Sequence, residues 1–586
     1  MTITKLLRRA LIPDTEVFQT LFTQPELALS QNSLLGDIQA RLFYALKQFL
    51  HPQAISPFLL VKAPEELDYF NLLNDVTVLL REPLETLTGV NYQITGKNIT
   101  MQPAQQAGDN FASQGPVIHA NWVEPEQLFG CVRQFNGEIS LQPGLVHQAN
   151  GGVLILSLRA LLTQPLLWMR LKNIVTQQRF CWLSFDNAHP LPVSIPTMPL
   201  SLKIMLLGER ELLADFQAME PELYETIIYS EYEDNLQIVD EGKQKLWCQW
   251  VWYIVRQQNL PGLDPSIWPL LIQEAVRYTG DQRTLPLCPL WISRQLRETS
   301  AFSELGNSLN AKQLTMMLNR RQWREGYLRE RMQDEILLEQ ILIETDGERI
   351  GQINALSVLE FPGHPRTFGE PSRISCAVHI GDGEFTDIER KAELGGNIHA
   401  KGIMIMQSFL MAELGLQQQI PFSASLTFEQ SYGAVDGDSA SMAELCALIS
   451  ALAKVPLKQS IAITGSVDQF GRAQPVGGLN EKIEGFFVIC QQRGLTGKQG
   501  VIIPSANIRH LSLALDVQQA VEANEFALWA IDNVTDALPL LTQLAWDGEG
   551  KPTLLQIIKA RIAQATQQDL HQRSWPLGWL NWFHVN

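Results

Sequence analysis

Three short apolar runs constrain the first half of this chain most strongly: PFLLV at 57–61, GVLIL at 152–156 and LKIMLL at 202–207. Runs this short and this rich in Val, Ile and Leu suit buried strands rather than half-exposed ones. The stretch GDIQARLFYALKQFL ahead of the first run has the spacing of an amphipathic helix, and a helix resumes near Leu67. Strands alternating with helices predict an α/β core. With 586 residues the chain holds about four domains' worth of protein. Apolar residues make up 45% and charged residues 18%, which excludes a disordered chain. The formal net charge of −17 argues against a nucleic-acid partner, because the average field repels a phosphate backbone.

Seven scattered cysteines with no CxxC pair argue against zinc and against a disulfide framework. The N-terminus lacks a secretory signal pattern, and the most apolar stretch, 152–171, carries Arg159, Gln164 and Arg170. A cytoplasmic protein with no membrane contact is expected. From about 241 to 340 the pattern turns helical and charged, ending in NRRQWREGYLRERMQDEILLEQIL, which reads as a solvated helix face. Beyond 345, glycine punctuates alternating segments: SASLTFEQ as a half-buried strand, then SIAITGSV and GVIIPSAN as buried ones. The expected division is therefore 1–34 as an N-terminal segment, 35–240 as the α/β core, 241–340 as a helical lid, 341–545 as an α+β domain, and 546–586 as a tail. The tail ends in SWPLGWLNWFHVN, whose aromatic residues suit packing on this chain or on a neighbouring subunit.

The chemistry concentrates in GAVDGDSAS at 433–441, which opens the apolar helix AELCALISALA and sets a serine at a helix N-terminus. Unpaired N–H groups and the positive end of the helix dipole gather there, which suits an attacking oxygen and the oxyanion that follows. Simple capping by Asp438 or Ser439 satisfies the same residues. No histidine stands out as a base for Ser439. A lysine serves if its amine is neutral, which requires burial or an adverse dipole. Lys482 falls in the first turn of EKIEGFFVICQQ, where Asn480 is placed to cap and a cation is disfavoured. A surface lysine between Glu481 and Glu484 is the bland alternative.

The stretches DGDSAS at 436–441 and ITGSVDQFGRAQPVGGLNEKIEG at 463–485 resemble the proteolytic domain of the Lon protease family. The match runs on through GERIGQINALSV, DIERKAELGGNIHAKGIMIM, SASLTFEQSYG and LTGKQGVIIPSANIRHL, covering about 345–545, and GDSAS looks like the archaeal-type branch. Ser439 and Lys482 stand 43 positions apart, similar to the family's Ser-Lys dyad. The resemblance implies that Ser439 is the nucleophile, Lys482 the general base, and Thr464 a hydroxyl that orients the lysine amine. Asp436, Asp438 and Glu429 lie close in sequence, and structural roles are expected for them. A homo-hexameric ring acting on protein or peptide substrates is likewise implied.

Upstream, GPVIHANWVEPEQLFGCV, PGLVHQANGGVLILSLRALL and KIMLLGERELL resemble the AAA+ module of Lon relatives. Its nucleotide chemistry looks absent. A phosphate loop needs GxxxxGK[ST], yet the run 57–61 is followed by Lys62-Ala63-Pro64-Glu65-Glu66-Leu67-Asp68-Tyr69. Glu65, Glu66 and Asp68 would repel phosphate, and Ser157 stands where the family places its magnesium-binding acid. The fold class expected is α/β and α+β multidomain, a degenerate AAA+-like core with a helical lid followed by a Lon-type α+β proteolytic domain. The expected function is a serine endopeptidase for unfolded or damaged proteins that needs no metal or cofactor. Atypical ATP binding, and a non-catalytic chaperone on the same scaffold, are the alternatives.

Overall fold

A computed structural model describes residues 3–22, 31–82, 86–184, 190–304, 307–381, 383–415, 422–431, 433–549 and 552–573. The aromatic end of the tail, 574–586, lies outside the described residues. The chain divides into two compact units. One comprises Thr23–Leu260 with Pro286–Arg297; the other comprises Met1–Phe22, Pro261–Leu285 and the described residues from Glu298 onward. This division interleaves the stretch read from sequence as a single lid, 241–340.

In the upstream unit five parallel strands lie in the order Ile228–Glu231, Phe58–Lys62, Lys203–Gly208, Val153–Ser157, Val117–Ala120. The three apolar runs supply the three central strands, and Leu59, Leu60, Val61, Leu154, Ile155, Leu156, Ile204, Met205, Leu206 and Leu207 are wholly buried. Burial on both faces is why these runs do not alternate. Leu206 registers with Leu60 on one side and with Leu156 on the other, so the loop after Lys62 and the residue Ser157 lie at the same carboxyl end of the parallel strands.

The second unit is built on an eight-stranded mixed sheet in the order Thr4–Lys5, Phe526–Ile531, Gln499–Pro504, Ile461–Ile463, Gln352–Leu359, Phe368–Ile380, Phe422–Phe428, Phe385–Asp387. Residues 3–22 belong here: Thr4 pairs with Ala530 and Lys5 with Trp529, antiparallel, at the sheet edge. Against the sheet lies the helix Ser441–Ala453, all thirteen residues of which are buried. A helix with so few polar residues, Ser441, Glu444 and Ser450, sits inside a core. Met442, Leu445 and Ile449 share one apolar cluster with Ile353, Ile374, Ile463 and Ile502 of the sheet and with Leu554 and Ile558 of the helix Leu554–Arg573. Arg561 of that last helix donates to Ala451 O at 3.2 Å and also to Leu452 O, satisfying carbonyls left open at a helix C-terminus.

The segment SIAITGSV, read from sequence as one strand, is two. Ile461–Ile463 belongs to the large sheet and Ser466–Val467 to a separate hairpin with Ala473–Gln474. The break falls at Thr464-Gly465. Gly465 has φ +152°, and a Cβ there would lie 2.4 Å from Met442 Sδ, so only glycine fits the bend. Among the described residues, no helix is long and apolar enough to cross a membrane.

Candidate active site

Three elements converge at the carboxyl end of the central strand Ile461–Ile463. The turn 438–441 precedes the buried helix, Thr464 follows the strand, and the helix Leu479–Arg493 brings Lys482. Ser439 lies one residue ahead of the helix N-cap, Ala440, inside a turn closed by Ser441 N donating to Asp438 O at 3.0 Å. Its own carbonyl accepts from Gly465 N at 2.9 Å, and Met442 N donates to Gly465 O at 3.2 Å. The serine turn is thus clamped to the strand break on both sides. Asp438 accepts from Ser466 Oγ at 2.8 Å, and Ser441 Oγ accepts from Val467 N at 3.1 Å.

The lysine helix begins differently from the sequence expectation. Gly478, in the left-handed conformation, is the N-cap, and Asn480 lies within the first turn. Asn480 instead ties the helix to the segment after Pro504: its Nδ2 donates to His510 O at 3.1 Å and its Oδ1 accepts from Ser512 N at 2.8 Å. Lys482 N makes the first intrahelical bond, to Gly478 O at 3.0 Å. Only 3% of Lys482 is exposed.

The three residues singled out from sequence meet. Lys482 Nζ is 3.1 Å from Ser439 Oγ and 3.4 Å from Thr464 Oγ1, and Thr464 Oγ1 donates to Ser439 O at 3.4 Å. Thr464 is fully buried. Burial lowers the lysine pKa to about 8, against Asp438, whose charge works to raise it. The three acids expected to have structural roles differ in their surroundings. Glu429 accepts from Ser375 Oγ at 2.5 Å and lies 4.0 Å from Arg373, Asp438 holds Ser466, and Asp436 is exposed.

Sequence reasoning missed a buried polar cluster behind the serine turn. His399 Nε2 lies 3.2 Å from Asp387 and its Nδ1 3.8 Å from Glu444, which sits on the buried helix. Burial pushes the Glu444 carboxyl up to about 8 against the pull of His399. Glu389 accepts from Phe428 N at 2.9 Å and Thr427 Oγ1 at 3.0 Å. The segment around His399 also pairs with the serine loop: Gly396 N donates to Val435 O and Val435 N to Leu394 O. The run NIHAKGIMIM was part of the resemblance, but nothing in it marks which acids His399 meets. Among the described residues, no cluster of His, Cys, Asp and Glu could hold a metal ion.

In the upstream unit, Glu65 fills the loop after Phe58–Lys62. Its Oε1 accepts from Ser157 Oγ at 2.7 Å and Arg159 N at 2.8 Å, and its Oε2 from Arg159 Nε at 3.1 Å. The Glu65 side chain is 9% exposed. Ser157 Oγ also caps the following helix by accepting from Ala160 N.

Comparison with known proteins identifies the family of the chain. Residues 113–228 match the family model described as LonB-like, AAA domain, and 411–542 match Lon protease (S16) C-terminal proteolytic domain. A protein of Escherichia coli (strain K12), provisionally named a Lon protease homolog, is 66% identical over 587 residues, covering the whole of both chains. One of the same name from Haemophilus influenzae is 46% identical over 491 residues, 82% of this chain and 81% of that one. An archaeal Lon protease of Thermococcus kodakarensis is 24% identical over 80% of this chain and 72% of its own length. The chain therefore belongs to the family of Lon protease homologs, with an AAA-like module upstream and a Lon proteolytic domain at its C-terminal end.

Proposed function

We propose that this chain is a serine endopeptidase in which Ser439 attacks the peptide carbonyl, Lys482 is the general base and Thr464 orients the base. The observation that carries the reading is the 3.1 Å approach of a buried, pKa-depressed amine to a hydroxyl on a clamped turn. A neutral Lys482 accepts the Ser439 proton as Oγ attacks. The Thr464 hydroxyl, donating to Ser439 O, turns its lone pairs to the lysine N–H and so aims the amine's own lone pair at Oγ. Backbone N–H groups near Gly437 to Ser439 hold the oxyanion; the protonated lysine then returns its proton to the leaving amine, and water releases the acyl group.

Proteolysis in this reading needs neither ATP nor metal. The Glu65 carboxylate occupies the loop where phosphate would lie and is itself held by Ser157 and Arg159, so the groups that would meet a nucleotide meet a side chain. Without a motor the enzyme favours peptides and unfolded chains. A ring of six copies is the assembly that would close a chamber around the dyad; light scattering showing a monomer at micromolar concentration overturns it.

The deciding experiment is cleavage of unfolded casein by the full chain without nucleotide. Wild type cleaves and Ser439→Ala does not; equal activity in the two overturns the dyad. Stimulation by Mg-ATP on a folded substrate, and not by a non-hydrolysable analogue, overturns the ATP-independent part alone.

A further inference from the structure

The hairpin Ser466–Gln474 starts at the candidate site and ends in an aromatic side chain pointing at solvent. Its first strand is rooted there by two contacts already described, Ser466 Oγ to Asp438 and Val467 N to Ser441 Oγ. Four residues on, Phe470 is 73% exposed. A lone exposed phenylalanine means little by itself. Here the backbone beneath it is unusually well fixed.

Asp468 and Gly471 close the turn, with Gly471 N donating to Asp468 O at 3.0 Å, and Asp468 N donates to Arg472 O at 3.1 Å. Asp468 Oδ1 accepts from Phe470 N and Arg472 N, each at 2.9 Å, and its Oδ2 from Arg472 Nε at 2.7 Å. Gly471, at φ +80°, packs so tightly on Phe409 that a Cβ would lie 2.6 Å from that ring. From the other side Val534 N donates to Gly471 O at 2.8 Å and Asn533 Nδ2 to Phe470 O at 3.4 Å. The Arg472 guanidinium lies 5.6 Å from the Phe470 ring centre. A preorganised turn presenting an unburied ring loses little entropy when something apolar covers it.

We propose that Phe470 is a specificity-determining residue of the peptidase, the floor of a subsite for an aliphatic or aromatic substrate side chain. This rests on the peptidase reading above. Ser466, which begins the hairpin, holds Asp438 beside Ser439, and the four residues on to Phe470 span at most about 14 Å of extended chain, which keeps the ring within reach of substrate residues a few positions from the scissile bond. Burial of apolar surface supplies the preference, and the Arg472 stem extends the covered face.

The test uses full-length wild type and Phe470→Ala on a mixture of proteome-derived peptides, with cut sites read by mass spectrometry and Ser439 labelling by a fluorophosphonate as a control. Wild type enriches apolar residues at one position near the cut. Phe470→Ala flattens that position and lowers kcat/KM about tenfold on a peptide carrying Leu there, with no change on the Ser-substituted peptide and no change in Ser439 labelling. Phe470 is exposed, so the variant keeps its fold. A wild type that cleaves nothing overturns the peptidase reading and this subsite with it. Cleavage without apolar enrichment, enrichment that survives Phe470→Ala, or a variant that changes only the oligomer by light scattering overturns the subsite alone.

Discussion

Replacing Lys482 by methionine removes a charge that the fold holds at a cost, so the variant is expected to be more stable than the wild type near neutrality. The lysine is 3% exposed and its pKa falls from 10.5 to about 8 through burial, opposed by Asp438. That fall corresponds to roughly 3 kcal/mol between the two protonation states. Below pH 8 both folded and unfolded chains carry the proton, and the folded chain bears the whole penalty. Between about 8 and 10.5 the folded lysine releases its proton while the unfolded one keeps it, so wild-type stability rises with pH through that window. Methionine has no penalty to relieve at high pH. The variant also loses the hydrogen bonds to Ser439 and Thr464, about 1 kcal/mol together, which leaves it about 2 kcal/mol more stable at pH 6.5. The advantage shrinks toward pH 10 and reverses by the hydrogen-bond contribution. Urea unfolding monitored by hydrogen-exchange mass spectrometry on peptides from Leu479–Arg493 reads this locally. A Lys482→Met variant less stable than wild type by the same amount at pH 6.5 and pH 10 would falsify the buried, pKa-depressed lysine.

Thr464→Val keeps the volume of the buried side chain and removes the hydroxyl that touches both Lys482 and Ser439 O; kcat on a short peptide falls about tenfold with KM little changed, and an unchanged kcat removes the orienting role. Gly465→Ala sets a Cβ 2.4 Å from Met442 Sδ at φ +152° and uncouples the serine turn, so activity is lost and the proteolytic unit loses about 2 kcal/mol or more in denaturant melts. Glu65→Ala frees Ser157 Oγ, Arg159 N and Arg159 Nε, and exchange protection around 63–66 and 157–162 drops by about 1–2 kcal/mol. A fluorescent-nucleotide titration shows no binding before or after that change, because the loop still lacks the glycines and lysine of a phosphate site; binding in the wild type refutes this.

The buried strands and the meeting of Lys482 with Ser439 were legible because both rest on local signals. Continuous Val-Ile-Leu runs mark strands covered on two faces, and Ser439 and Lys482 sit in stretches whose residue order carries the resemblance. The rest is tertiary. Thr4–Lys5 is too short to show periodicity, and its place on the sheet edge depends on Phe526–Ile531, more than five hundred residues away. Asn480 looked like a cap because Asn favours that position, but His510 O and Ser512 N outcompete the helix end for its amide. The SIAITGSV strand breaks where Gly465 must approach Met442, a contact invisible in one dimension. Glu65 read as a residue that would repel phosphate; that Ser157 and Arg159 hold its carboxylate at the carboxyl end of the strands is a tertiary contact. The His399 cluster needs three separate elements to meet.

The rate at which an active-site-directed fluorophosphonate modifies Ser439, measured by mass spectrometry on the intact chain between pH 6 and pH 10 without nucleotide, tests the dyad most directly. The account predicts a single labelled serine, Ser439, a rate that rises with pH to a midpoint near the lysine pKa of about 8, and no labelling in Lys482→Met. Labelling that is independent of pH, that survives in Lys482→Met, or that falls on another residue contradicts it.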